Sequence, residues 1–210
     1  MLARPRPKTA VELLGSPRAP KNARDRLIDT AIDLFYTHGF NAVGLDQIID
    51  AVGVTKTTFY KYFESKDELM VQAVRQRDEW ESQAWDRALR EEAGDDPRAR
   101  LLALFDVLDK WFNTEDFKGC IFLNTAVEFP NPNDPVHQAA AAHKKRNRDA
   151  WRDAAKAAGA RDPETFADQY TMLVEGTLVL RQVHGRNDAA LIARKLAAAL
   201  VDEHIPAATT

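Results

Sequence analysis

Three times the chain places Asp-Pro directly before a run of apolar residues at helical spacing: Asp96-Pro97, Asp134-Pro135 and Asp162-Pro163. An aspartate at the N-cap accepts a hydrogen bond from an orphan amide of the first turn. Proline suits the first helical position because its missing N–H has no intrahelical partner there. Ser65 and Glu68 add a fourth start signal, the S-x-x-E capping box, which predicts a long helix reaching about Glu92. Between such starts the apolar residues recur every three or four positions, most clearly in Leu101, Leu104, Phe105, Leu108, Trp111 and Phe112. No segment alternates with period two, and nothing repeats at a fixed period. These signals restrict the chain to an all-α fold of about nine helices.

The remaining helices follow from the same spacing. Leu27, Ala31, Leu34 and Phe35 predict one from Ala23, stopped by Gly39. Short helices are expected from Asp46 to Val52 and from about Thr55 to Phe63. The stretch "GCIFLNTAVEF", Gly119 to Phe129, is apolar and ends at "PNPNDP". Late helices are expected over about 135–159, 163–184 and 188–202. Residues 1–20 hold four prolines and no periodicity, so they read as a disordered basic arm.

Bulk properties exclude several classes of function. With 210 residues and 45% hydrophobic content, the chain can build a real core. It has no apolar run near the ~20 residues that a bilayer span needs, and its first residues lack the apolar segment of a secretory signal. Cys120 is the only cysteine, so neither an internal disulfide nor a thiolate zinc site can form. His137 and His143 do not have the spacing of a metal motif. There is no phosphate loop and no Ser-His-Asp arrangement with supporting signatures. The expectation is a cytoplasmic protein that is not an enzyme and carries no metal or cofactor.

Net charge is −3, but it is unevenly spread. Residues 1–66 carry ten Lys/Arg against seven Asp/Glu, a surplus of three, which leaves the other 144 residues at −6. A basic N-terminal part on an acidic body suits a small DNA-binding end joined to a different kind of domain. Two short helices around Val52-Gly53-Val54 make a helix-turn-helix. On the second, Phe59 and Phe63 can face inward. Lys56, Thr57, Tyr60 and Lys61 share another face, with Thr55 as N-cap. That face suits the major groove, with Thr57 or Tyr60 meeting base edges and Lys61 and Lys66 meeting phosphates.

The stretch from Ala23 to Val74, with "AIDLFYTHGF", "IIDAVGVTKTTFYKYF" and "SKDEL" in order, resembles the DNA-binding domain of the TetR family of transcriptional regulators. The resemblance covers about fifty residues. It implies that Thr55, Lys56, Thr57, Thr58, Tyr60, Lys61 and Tyr62 lie on the recognition helix, and that Lys66 contacts phosphate. The family usually opens its second helix with a hydroxyl residue. Val43-Gly44-Leu45-Asp46 stands there instead, so no side-chain DNA contact from that helix start is carried over.

The resemblance further implies a homodimer on a pseudo-palindromic double-stranded operator, with a small-molecule effector bound in the C-terminal domain. The domains are expected as the arm 1–20, the DNA-binding domain 21–66, and the ligand-binding and dimerisation domain 67–210. The last two helices, with Gly176 allowing close approach, would form a four-helix interface with a second copy. "GCIFLNTAVEF" is similar to the corresponding stretch of a TetR subgroup that includes repressors of multidrug-resistance genes. Asn124 and Glu128 sit four apart in it on one helical face, and polar groups buried there need partners, which a ligand could supply. The candidate pocket residues are Phe105, Trp111, Cys120, Phe122, Asn124, Glu128 and Tyr170. A ligand-released repressor is the main expectation. The alternatives are an activator or effector-independent regulator, or an all-α binding protein without DNA function.

Overall fold

The computed structural model of the chain describes residues 9–206. Among these it is all-helical, with α1 (Ala10–Leu14), α2 (Ala23–His38), α3 (Leu45–Val52), α4 (Lys56–Tyr60), α5 (Lys66–Ala93), α6 (Pro97–Phe112), α7 (Ile121–Glu128), α8 (Pro135–Ala157), α9 (Pro163–His184) and α10 (Ala189–His204). The three Asp-Pro starts work as their chemistry demands. Asp96 accepts from the Arg98 amide at 3.0 Å, Asp134 from Val136 at 2.7 Å and Asp162 from Thr165 at 3.1 Å. Ser65 caps α5 by accepting from the Glu68 amide, while the Glu68 carboxylate reaches back to the amide of Glu64.

One helix was not expected. Residues 1–8 of the arm lie outside the described residues, but 9–20 contain α1. Its start is a reciprocal capping box, with Thr9 and Glu12 each bonding the other's backbone amide. The Ala10 amide donates to both oxygens of Asp116, at 2.9 and 3.1 Å, and Ala10 and Leu14 are buried. The prolines before and after this segment masked a T-x-x-E signal that is as sound as the one at Ser65.

The chain forms two compact units. One comprises residues 17–82 and 120–144 and carries the helix-turn-helix; the other comprises the described residues up to 16, 83–119 and 145–206. The border expected between 66 and 67 therefore falls inside the first unit. Leu69, Met70, Ala73 and Val74 of α5 are buried in its core, together with Leu27, Ile28, Phe35, Ile48, Phe59 and Phe63. Each fully buried side chain of this size contributes about 1.5–3 kcal/mol by transfer from water.

In the second unit, α10 packs on α6 and α9 through Ala189, Ala190, Ala193, Ala197 and Val201. These small buried side chains let the helices come close. Tyr170 is fully buried between Phe105, Trp151 and Phe166, and its hydroxyl donates to the Leu101 carbonyl at 2.5 Å. Burial holds that hydroxyl well above the usual tyrosine range, so it remains a neutral donor. The Arg181 guanidinium donates twice to the Phe112 carbonyl, at 3.0 and 2.9 Å, and lies over the Phe117 ring. It thereby satisfies an orphan carbonyl at the negative end of α6. Tyr170→Phe removes a fully buried donor and should lower stability by about 1–2 kcal/mol in urea unfolding. An unchanged midpoint would mean the bond to Leu101 is not maintained in solution.

Candidate DNA-binding face

The turn between α3 and α4 depends on Gly53, whose φ of 71° and ψ of 41° are left-handed. Its amide closes the end of α3 on the Ile49 and Asp50 carbonyls. Among the described residues a Cβ there would meet nothing within 4 Å, so it is the backbone conformation that favours glycine at this position. Thr55 then caps α4, its hydroxyl accepting from the Thr58 amide at 3.1 Å and lying 3.0 Å from the Thr58 hydroxyl. Two hydroxyls of the anticipated contact set are thus tied to each other.

Phe59 and Phe63 are buried with ring centroids 5.5 Å apart, which turns the opposite side of α4 to solvent. On that side Lys56, Thr57, Thr58, Tyr60 and Lys61 line one shallow, open depression. Tyr60 is 57% exposed and stands edge-on to the Phe59 ring. The helix ends at Tyr60, three residues sooner than the sequence suggested. Lys61 and the half-buried Tyr62 lie in the turn beyond it, with the Lys61 ammonium over the Tyr62 ring.

Lys56 is held by Asp46 of α3 at 2.8 Å. This hydrogen bond and its charge keep the Lys56 ammonium above the usual lysine range, so it stays charged throughout the physiological range. Asp46 was not among the anticipated site residues. The available signal was an acid in the first turn of one helix facing a lysine at the start of the next, which sequence spacing does not pair.

Lys66 donates to the Phe40 carbonyl at 2.8 Å, in the turn after α2. The same turn is held from its other side. The Glu128 carboxylate accepts from the Phe40 amide at 3.0 Å and the Asn41 amide at 2.8 Å, and the Phe129 ring stands edge-on to Phe40. Gly39 fits this arrangement closely. Its φ is 88°, and an added Cβ would stand 3.1 Å from the Glu128 carboxylate.

Of the seven anticipated pocket residues, three belong to one unit and four to the other. Phe105, Trp111 and Tyr170 are core residues of the second unit. Trp111 packs against Trp85, Phe112 and Phe117, and its buried indole nitrogen has no hydrogen-bond partner among the described residues. Cys120, Phe122, Asn124 and Glu128 belong to the helix-turn-helix unit. Phe122 stacks on His143, whose Nδ1 lies 2.8 Å from Asp78, and the Lys144 ammonium is 3.5 Å from the Cys120 sulfur. Both oxygens of Glu128 are engaged with the turn after α2. The i, i+4 spacing with Asn124 placed Glu128 on a helical face without revealing what that face met.

Comparison with known proteins agrees with this architecture. Residues 27–73 match the family described as bacterial regulatory proteins, tetR family, and residues 97–197 match the tetracyclin repressor-like C-terminal domain. The chain belongs to the TetR family of transcriptional regulators. It is 22% identical over 155 residues to the HTH-type transcriptional regulator YjdC of Escherichia coli, covering 74% of this chain and 81% of that one. Among solved structures, a TetR-family regulator from Streptomyces coelicolor has a TM-score of 0.77 at 26% identity, covering 87% of this chain and 95% of that one. A regulator from Streptomyces avermitilis has a TM-score of 0.74 at 27% identity, covering 88% and 98%.

The family's members are regulators, not enzymes. Among the described residues no helix is long and apolar enough to cross a membrane. The matched C-terminal domain includes residues 120–144, which this chain packs into its helix-turn-helix unit.

Glu128→Gln replaces an acceptor oxygen by an amide that cannot accept from a backbone N–H. Losing roughly 1.5 kcal/mol of charge-assisted hydrogen bonding should speed hydrogen exchange at the Phe40 and Asn41 amides about tenfold. Unchanged exchange would show that the carboxylate does not hold this turn.

Proposed function

We propose that the chain is a homodimeric repressor working in the cytoplasm, which binds a pseudo-palindromic operator and is released from it by a small-molecule effector. The observation that carries the DNA-binding part is the solvent-exposed set Lys56, Thr57 and Tyr60 on a short helix that buries Phe59, with exposed Lys61 in the turn just beyond. In a major groove, Thr57 and Tyr60 offer methyl, ring and hydroxyl contacts to base edges, and Lys61 reaches a phosphate. Lys66 donates one of its three N–H bonds to Phe40, which leaves two for a phosphate at the head of α5. Thr55 and Thr58 support the face by capping it, and Tyr62 backs Lys61.

The dimer rests on a second observation. Met172, Val179, Leu180 and Val183 of α9 and Leu191, Ile192 and Leu196 of α10 are large apolar side chains left exposed on one unit. Gly176 lies on the same side of α9, with nothing among the described residues within 4 Å of a Cβ built there. Such a surface suits a second copy of the same two helices, giving a four-helix interface. A two-fold dimer would set its recognition helices about 34 Å apart, one turn of DNA.

Effector control then requires a ligand that binds one dimer geometry better than the other. The buried Trp111 indole nitrogen, without a hydrogen-bond partner among the described residues, is a donor that an acceptor on such a ligand could satisfy.

Tyr60→Ala should abolish the mobility shift of DNA from the gene's own upstream region while leaving the helical circular-dichroism signal intact. Retained affinity would remove Tyr60 from the contact set. Leu196→Glu should convert the dimer to monomer in sedimentation analysis, because two like charges would face each other in an apolar seam. A dimer unaffected by this charge would place the interface elsewhere.

A further inference from the structure

The ion pair between Asp46 and Lys56 lies on the proposed DNA-binding face, not in the core. Asp46 is the second residue of α3 and Lys56 the first of α4, so the pair bridges the two helices of the helix-turn-helix. Their side chains are 68% and 62% exposed. An ion pair so exposed adds little to stability, because water screens the attraction and two long side chains lose freedom to make it. Asp50 adds further negative charge near Lys56. A binder that relied on Lys56 as a phosphate anchor would have no use for a carboxylate 2.8 Å away.

We propose that Asp46 is a specificity-determining residue of the DNA-binding face. By pairing with Lys56 it withholds that ammonium from the phosphate backbone and presents it to base edges. This rests on the reading that the α4 face binds DNA. A lysine ammonium has three N–H donors, and the carboxylate uses one. The remaining two can still donate to the O6 and N7 acceptors of a guanine, which are short-range and directional. What the pair removes is the net charge, and with it the long-range pull toward any phosphate.

Non-specific affinity comes almost entirely from phosphate contacts and released counterions. The carboxylate therefore penalises wrong sequences more than right ones, and specificity is that difference. Asp46 also tethers the Lys56 side chain to α3, which limits the directions the ammonium can take.

The test is the salt dependence of DNA binding by the full-length chain and its Asp46→Asn, Lys56→Gln and doubly substituted forms. Two duplexes serve as probes: one of random sequence, and one enriched from a randomised pool by the wild-type protein. Asp46→Asn should steepen the slope of log affinity against log salt on the random duplex by about 0.9, which at roughly 0.1 M salt is about an eightfold gain. The gain on the enriched duplex should be smaller, so the ratio of the two affinities falls.

In the Lys56→Gln background the gain on the random duplex should largely vanish. An equal gain with and without Lys56 would overturn the proposal, since Asp46 would then act only as a general negative charge. An unchanged slope would overturn it too. If the wild-type protein binds neither duplex at low salt, the DNA-binding reading itself fails and takes the proposal with it. If wild type binds and Asp46→Asn matches it on both duplexes, only the proposal fails.

Discussion

The candidate DNA-binding face depends on the burial of Phe59 and Phe63. A helix of five residues has no stability of its own, because nucleating a first turn fixes several dihedrals for very few hydrogen bonds. α4 exists because one side of it is sealed into the core of its unit and its start is capped by Thr55. The exposed side chains inherit their direction from that burial. Once Phe59 faces inward, the helical period turns Thr57 and Tyr60 away from the core, while Lys56, three residues before Phe59, stays at the edge of the buried side and reaches Asp46.

The same economy governs the turn after α2. Phe40 and Asn41 present two amides and a carbonyl where no helix can pair them. Glu128 takes the amides and Lys66 takes the carbonyl. The Phe40 amide and carbonyl are part-buried, where an unpaired backbone group is costly, so the two side chains help to hold the turn. One of them, Lys66, also carries a charge at the start of α5, beside the candidate DNA-binding face. The other comes from α7, inside the part of the chain that matches the family's C-terminal domain. A segment of the matched C-terminal domain is thus built into the helix-turn-helix unit, through hydrogen bonds whose geometry tolerates little displacement.

Much of this was legible in the chain of letters because it is local. Asp-Pro starts, the Ser65 capping box, Gly53 in the turn and the spacing of Phe59 and Phe63 are all properties of a few consecutive residues. The all-α fold and the helix-turn-helix follow from them directly. The T-x-x-E box at Thr9 was equally local, but the prolines around it outweighed it. What the pocket candidates pack against was not legible in this way. Phe105, Trp111 and Tyr170 have the same helical spacing whether they line a cavity or fill a core, and periodicity carries no information about what stands opposite.

The sequence by itself determined which segments are helical, where they start and which side of each is apolar, since caps and periodicity act within one or two turns. Only the tertiary structure decided which polar groups distant in the chain meet. Lys56 finds Asp46 ten residues away, and Glu128 finds Phe40 and Asn41 nearly ninety residues away. Only folding brought Ala10 to the carboxylate of Asp116, and the Arg181 guanidinium to the Phe112 carbonyl. The physical reason is range. A hydrogen bond or ion pair acts over about 3 Å and requires alignment, so it forms only where packing has already placed both partners.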